Sequence, residues 1–285
     1  QAVIHEIFHD KTKMLQLSGT PFNLFDDYKE EEIYTWDYVM EQRAKQDWEK
    51  THWAEHNPYA GLPKLNIYTF DLSLELKKYQ DNEHAFNFAE FFRVEENGKF
   101  KHDQDVDAFL NLLASNSAKN YPYSKLEWRQ NLRHSLWTVP SVAAAAALSA
   151  KLRKHPVLGQ FRIVNVAGQG DTDADYESDN ALEMVEEAIG SNPEETMTIT
   201  LSRGRLTTGV TVPAWTAVFM LHGSFSTSAS SYMQTIFRAQ SPAVINGKMK
   251  EECFVFDFAP DRTLKVLAET AKVSAKAGKT KEEDK

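Results

Sequence analysis

The sequence predicts an α/β fold, a parallel sheet flanked by helices, preceded by a mostly helical, aromatic-rich accessory segment. Three observations carry this. From residue 134 to about residue 260, strand-like and helix-like stretches alternate, the pattern of parallel strands joined by helical crossovers. Residues 215–221 (WTAVFML) form a continuous apolar run of strand length, as a strand buried on both faces requires. Residues 179–189 read as a helix that stops at Gly190, a residue suited to the left-handed turn that ends helices.

Taken in order, residues 1–12 read as the end of a helix. Residues 13–17 read as a short strand entering the turn Ser18-Gly19-Thr20-Pro21. Residues 30–53 predict a helix, because Ile33, Trp36, Met40, Ala44 and Trp48 recur at spacings of three and four. Glu30, Glu31 and Glu32 suit its N-terminal end, where the helix dipole is positive. Pro58, Gly61 and Pro63 break it, and Leu65, Ile67, Phe70 and Leu72 suggest a strand. Residues 85–94 are rich in phenylalanine, and Asn97-Gly98 marks a tight turn. A helix is expected at 106–113, with Asp103 or Asp105 as its cap. The aromatics of 25–130 admit two readings: a DNA-facing accessory module, or the core by which this segment packs on the sheet. Beyond it, strands are expected at 135–139, 161–166, 196–201, 215–221 and 253–258, with helices at 141–154, 179–189 and 228–240. Asp261 is placed to cap one more helix.

Composition bounds the function. The lone cysteine, Cys253, cannot form an internal disulfide, which points to a reducing, cytoplasmic setting. No signal peptide and no apolar run of membrane-spanning length is visible, so no membrane partner is expected. A net charge of −9 argues against a broadly basic nucleic-acid coat. It leaves room for one narrow track of local positive charge and backbone N–H groups.

Several short patterns match known chemistry without the context that chemistry needs. His5-Glu6-Ile7-Phe8-His9 fits H-E-x-x-H, and His52-Trp53-Ala54-Glu55-His56 fits its inverse, yet neither has an evident third ligand. Gly168-Gln169-Gly170 follows a strand but lacks the third glycine, and Asp171, Asp173 and Asp175 would repel a pyrophosphate. Gly278-Lys279-Thr280 has no strand before it, and Val273 stands where a P-loop needs its first glycine. No metal ligand set is expected.

Three other stretches agree with one another in their order along the chain. Thr207-Thr208-Gly209-Val210-Thr211-Val212-Pro213 resembles motif V of superfamily 2 helicases. Residues 234–241 (QTIFRAQS) resemble motif VI, usually Gln-x-x-Gly-Arg-x-x-Arg, and Leu17-Ser18-Gly19-Thr20-Pro21-Phe22 resembles motif III. The chain is most similar in these features to the helicase-like motor of restriction enzymes, of the type III kind and its relatives, over 134–260 and 14–24.

That resemblance implies four segments: the end of a first RecA-like lobe at 1–24, the accessory segment at 25–130, a second RecA-like lobe at 131–262 and a lysine-rich tail at 263–285. It implies ATP and Mg as cofactors, held largely by the first lobe as partner, with DNA gripped through backbone contacts. Arg238 would stabilise charge on the transferring phosphoryl group, and Gln234 would position the phosphate or the attacking water. Ser18, Gly19 and Thr20 would couple nucleotide state to the DNA track. Thr207, Thr208 and Gly209 would hold a DNA phosphate, aided by Arg203, Arg205 and Ser141. The second motif VI arginine falls on Ser241, which leaves Arg238 alone in the role or the site impaired. The implied function is the C-terminal motor lobe of an ATP-dependent DNA helicase or translocase of a restriction-modification enzyme. The alternative is a helicase-derived interaction or regulatory module without catalysis. Residues 1–285 alone are expected to be inactive, for want of a P-loop and an acidic metal-binding box before Ser18.

Overall fold

A computed structural model describes residues 13–20, 28–72, 86–114, 121–168, 174–223, 227–245 and 247–276. The helix expected at 1–12, the His5–His9 pattern, Pro21 and Phe22, Gln169–Asp173 and Gly278–Thr280 lie outside these residues. The described helices are α1 (Tyr38–Thr51), α2 (Phe88–Phe91), α3 (Asp103–Ala114), α4 (Leu126–Asn131), α5 (Val142–Lys154), α6 (Ala174–Ile189), α7 (Ala229–Ile236) and α8 (Pro260–Lys276). The strands are β1 (Lys64–Thr69), β2 (His134–Thr138), β3 (Arg162–Asn165), β4 (Thr198–Ser202), β5 (Ala217–Met220), β6 (Val244–Ile245), β7 (Lys248–Met249) and β8 (Glu252–Asp257).

Six strands make one sheet in the order β1-β8-β5-β2-β4-β3, and β6 and β7 form a separate small hairpin. Every pairing in the large sheet is parallel. The α/β class and the parallel sheet flanked by helices are therefore as the sequence predicts. In the centre, Ser135 of β2 stands opposite Ile199 of β4 on one side and Ala217 of β5 on the other. The chain leaves β2 through α5 towards β3 and β4, then crosses to the opposite side of β2 to form β5. In open α/β sheets, ligands bind outside the C-terminal ends of the strands at such a reversal of strand order.

The two faces of the sheet are covered by different helices. On one face Trp137, Ile199, Leu201, Phe219 and Phe256 pack with Ala144, Ala145, Leu148 and Leu152 of α5. The same cluster continues without a break into Phe88, Phe91, Phe92, Phe109 and Leu113 of the accessory segment. Phe109 meets Phe258 edge-on, ring centroids 5.3 Å apart, so the two regions share one core. The rings of 86–114 are buried, and of the two readings the core-forming one describes them. On the other face Leu136, Val164, Val218 and Val255 pack with α6 (Ala181, Val185, Ile189), α7 (Tyr232, Ile236) and α8 (Val266).

Helix boundaries differ from expectation for local reasons. α1 begins at Tyr38, not at residue 30, because the Asp37 carboxylate accepts the Met40 amide (2.9 Å) and so sets the N-cap there. Glu30–Glu32 form a separate 3-10 turn. α3 begins at Asp103, so Asp103 and Asp105 both lie within its first turn instead of capping it. Asp261 likewise lies inside the first turn of α8, after Pro260. α8 runs on to Lys276, well into the stretch expected as a tail. The helix expected at 228–240 is α7 followed by a 3-10 turn, Phe237–Gln240, which carries Arg238.

The edge of the sheet at β1 is partly closed. The Lys64 and Phe70 amides donate inward to Glu251 and Asp257 carbonyls (2.8 and 2.9 Å). The Leu65 amide donates instead to the Tyr38 hydroxyl of α1 (2.8 Å), which blunts a template for strand addition. Among the described residues no helix is long and apolar enough to cross a membrane.

Candidate functional site

The short helix α7 carries the first group of candidate residues. Ser228 caps it, its hydroxyl accepting the Ser231 amide (3.2 Å). Tyr232, Thr235 and Ile236 are buried against the sheet, which leaves Ser230 and Gln234 on a half-buried flank. Thr20 reaches this flank. The Gln234 amide donates to Thr20 Oγ1 (3.0 Å), and the Ser230 hydroxyl donates to the same oxygen (2.8 Å). The Thr20 amide in turn donates to Ser18 Oγ (3.2 Å), which shapes the turn, while Ser18 and Gly19 are exposed.

Arg238 lies one turn beyond Gln234. Its Nε donates to the Gln234 carbonyl (3.0 Å), and its Nη1 donates to the carbonyl of Val210. The guanidinium is half-buried, and burial pulls its pKa down. An arginine stays cationic under such a shift because its ordinary value lies so high. The turn-bearing segment at 18–20, the helix at 229–240 and the loop at 207–213 are thus linked by side-chain hydrogen bonds through Gln234 and Arg238.

The loop after β4 is held from within. The Ser202 hydroxyl donates to the Arg205 carbonyl, and the Thr207 hydroxyl donates to the Gly204 carbonyl (2.7 Å). Thr207 is buried, so it shapes the loop, while Thr208 and Gly209 face solvent. Leu206 is buried with φ at +60°, a left-handed conformation that costs a branched side chain energy. Gly209 has φ at +72°, where glycine is at ease.

The two arginines expected beside the loop point to different places. Arg203 is exposed, and its Nε lies 3.5 Å from the Pro140 carbonyl, next to the end of β2. There Ser141 caps α5, its Oγ accepting the Ala144 amide (3.0 Å). Arg205 is turned towards the β3 edge. It lies so close over Gly168 that a Cβ there would come within 2.2 Å of its Nη1. With Asn165, Asn180 and Met184 it lines a cavity of about 220 Å³.

A buried polar network that sequence reasoning missed underlies α7. Arg262 Nη2 and Asp257 Oδ1 form an ion pair at 2.5 Å, both side chains being almost fully buried. The Thr263 hydroxyl donates to Asp257 Oδ2 (2.8 Å), and Arg262 also donates to the carbonyls of Met220 (3.3 Å) and His222. The guanidinium lies over the rings of Tyr232 (5.7 Å) and Phe88 (5.6 Å), joining α7 to the accessory segment. His222 is held neutral: burial first, then the charges of Arg262 and Arg203, pull its pKa down to about 4. Its Nδ1 is buried and has no hydrogen-bond partner among the described residues. Lys250 is buried too, and its Nζ donates to the carbonyls of Pro213 and Trp215, each at 3.0 Å. The one signal available in the sequence was an aspartate at the end of the apolar 253–258 run with an arginine five positions on.

Among the described residues no group of three or more His, Cys, Asp or Glu side chains could hold a metal ion. His52 of the inverted zinc pattern stacks on Trp48, ring centroids 4.2 Å apart.

No protein-family model matches the chain. The chain is similar to a protein of Mycoplasma pneumoniae (strain ATCC 29342 / M129) provisionally named as the C-terminus of a type II restriction enzyme and methyltransferase. The two are 29% identical over 91% of this chain, which spans 39% of that protein's length. This agrees with the resemblance drawn from the three motifs. Among solved structures, the DNA-bound ATP-dependent Type ISP restriction-modification enzyme LlaBIII aligns over 74% of this chain and 14% of its own, at 14% identity and a TM-score of 0.43. The C-terminal part of the Fun30 ATPase domain aligns over 81% and 64%, at 9% identity and a TM-score of 0.35. Dbp5 of S. cerevisiae, bound to RNA and ADP BeF3, aligns over 87% and 48%, at 14% identity and a TM-score of 0.36. TM-scores this low carry no assignment.

Proposed function

We propose that this chain is the C-terminal motor lobe of an ATP-dependent DNA helicase or translocase within a restriction-modification enzyme. The observation that supports it is the convergence of the three motif-like segments. Gln234 engages Thr20 at 3.0 Å across 214 positions, and Arg238 engages the Val210 carbonyl across 28. The similarity to a restriction-modification protein supports the same reading.

The residues present suit a part of a nucleotide site. Arg238 and Gln234 offer a cationic and a neutral donor side by side, as phosphate oxygens require. ATP, when bound with its metal ion, would supply the phosphoryl group to be transferred. Arg238 would stabilise charge developing on its oxygens, and Gln234 would orient the phosphate or a water. The first RecA-like lobe would provide the remaining phosphate and metal contacts. On the DNA side, Thr208 and Gly209 at the loop surface, Arg203, and the Pro140-Ser141 turn beside it would meet backbone phosphates without reading sequence.

The test is DNA-stimulated ATP hydrolysis by the full-length protein and by its Arg238→Ala variant. An arginine of this role is worth about 10³–10⁵ in rate, so the variant should lose activity by that order. Turnover within a few-fold of wild type would remove Arg238 from the chemistry. The second reading, a regulatory module without catalysis, draws support from Ser241 standing where motif VI has its second arginine. If Ser241→Arg raises turnover sharply, the natural site is impaired and that reading is preferred.

A further inference from the structure

The candidate catalytic arginine is already engaged. Arg238 Nη1 donates to the Val210 carbonyl, in the loop that would hold DNA, and Nε donates to the Gln234 carbonyl of its own helix. We propose that Arg238 works in two positions. Without nucleotide it fastens residues 208–211 of the loop through the Val210 carbonyl. With nucleotide its guanidinium leaves that carbonyl for a phosphate oxygen, and the loop is released. This rests on the reading that Arg238 meets the nucleotide.

The exchange follows from acceptor strength. A guanidinium–carbonyl bond is charge-assisted on the donor side alone, whereas an anionic phosphate oxygen adds attraction between opposite charges and is the stronger acceptor. The half-buried setting of Arg238 sharpens the difference, because low local dielectric strengthens charged contacts most. Leaving the Val210 carbonyl without a donor has its own cost, which the loop avoids by turning that carbonyl to water. The loop is built to move only locally. Val212 is buried with its carbonyl accepting the Trp215 amide (3.1 Å), and Lys250 fixes the Pro213 and Trp215 carbonyls, so release extends no further than residue 211. At the other end the Thr207 hydroxyl holds the Gly204 carbonyl. Gly209, with its positive φ, sits between these two anchors. The coupling is reciprocal: DNA that draws Val210 away from Arg238 frees the guanidinium for phosphate, and so favours nucleotide binding.

A spin label at position 208 tests this. Thr208 is exposed, and Cys253, the one cysteine of this chain, is buried with its thiol pushed up to about 12 and so will not compete for label. In the whole protein, with other reactive cysteines replaced, T208C is labelled in the wild-type, Arg238→Ala and Arg238→Lys backgrounds. Spectra are taken without DNA, with and without a non-hydrolysable ATP analogue at saturating concentration. The expected result is a shift from slow to fast label motion in wild type when the analogue binds. Arg238→Ala should be fast in both states and show no response. Arg238→Lys, which keeps the charge but cannot fork to two carbonyls, should also be fast without nucleotide. A label equally slow in wild type and Arg238→Ala without nucleotide overturns the fastening. A wild-type label that ignores bound analogue overturns the exchange. Either failure alongside an Arg238→Ala collapse in ATP turnover leaves the motor reading standing and the switch refuted.

Discussion

Gln234 donates a 3.0 Å hydrogen bond to the hydroxyl of Thr20, although 214 positions separate the two residues. Neither is fully buried, so the bond is expected to contribute at the lower end of the usual range, about 0.5–1.5 kcal/mol net. A double-mutant cycle with Thr20→Val and Gln234→Ala, read by denaturant unfolding, should show coupling of roughly 0.5–1 kcal/mol. Strict additivity would mean the contact holds nothing together.

Removing Asp257 should be far more damaging. Its partner Arg262 is almost wholly buried and would be left as an uncompensated charge. Breaking such a pair from one side typically costs about 3–5 kcal/mol, so Asp257→Ala is expected to lose that much stability. A loss below about 1 kcal/mol would show that water reaches the guanidinium.

Acid should weaken the fold through His222. Its folded pKa, about 4, lies below the ordinary value of 6.5, so the unfolded chain takes up the proton first. The stability it contributes is complete above about pH 6.5 and is lost as pH falls through 4. Burial shifts His134 and His155 in the same direction, so they add to the slope. His222→Asn should flatten the stability profile between pH 6.5 and 5, where few carboxylates titrate. An unchanged slope would mean that the imidazole is hydrated.

DNA binding by residues 1–285 is predicted to be weak, insensitive to sequence and strongly salt-dependent, since a chain of net charge −9 can neutralise few phosphates. Arg203→Ala should lower the salt slope by about 1, as expected for one lost phosphate contact. Thr207→Ala should alter stability more than the slope, because that hydroxyl serves the Gly204 carbonyl. Binding that is tight and indifferent to salt on a single sequence would refute the backbone-contact view. Duplexes of unrelated sequence titrated at two salt concentrations decide between these outcomes.

The sheet was legible from the alternation of strand-like and helix-like stretches and, at Ala217–Met220, from an apolar run, although His134–Thr138 is buried with three polar residues among its five. His134–Thr138 and Ala217–Met220 are buried along their whole length. α1 was legible in kind but not in extent. It has no fully buried residue, so its apolar spacing does not mark where it starts, and Asp37 decides that locally. At the site, the order of the motifs singled out Gln234, Arg238 and Thr20, but not their partners. The acceptor for Arg238 is the Val210 carbonyl, and a main-chain carbonyl leaves no trace in composition. Thr207 looked like Thr208 in sequence, yet a φ of +60° at Leu206 bends the chain so that one is buried and the other is not. The Asp257–Arg262 pair joins a strand end to a helix start, a spacing that carries no periodic signature.

The core shared by the accessory segment and the sheet bears on how the protein can be divided. Strand–helix alternation invites a cut near residue 131, which would yield a lobe of tidy pattern. Such a piece would bare the face that Phe88, Phe91, Phe92 and Phe109 now cover, and strip the ring of Phe88 from the buried Arg262. It would also lose β1, turning β8 into an open edge. The smallest piece that can be expected to stay in solution by itself therefore reaches back to at least α1, whose Tyr38 guards β1, and expression boundaries drawn from the repeating pattern alone should give inclusion bodies.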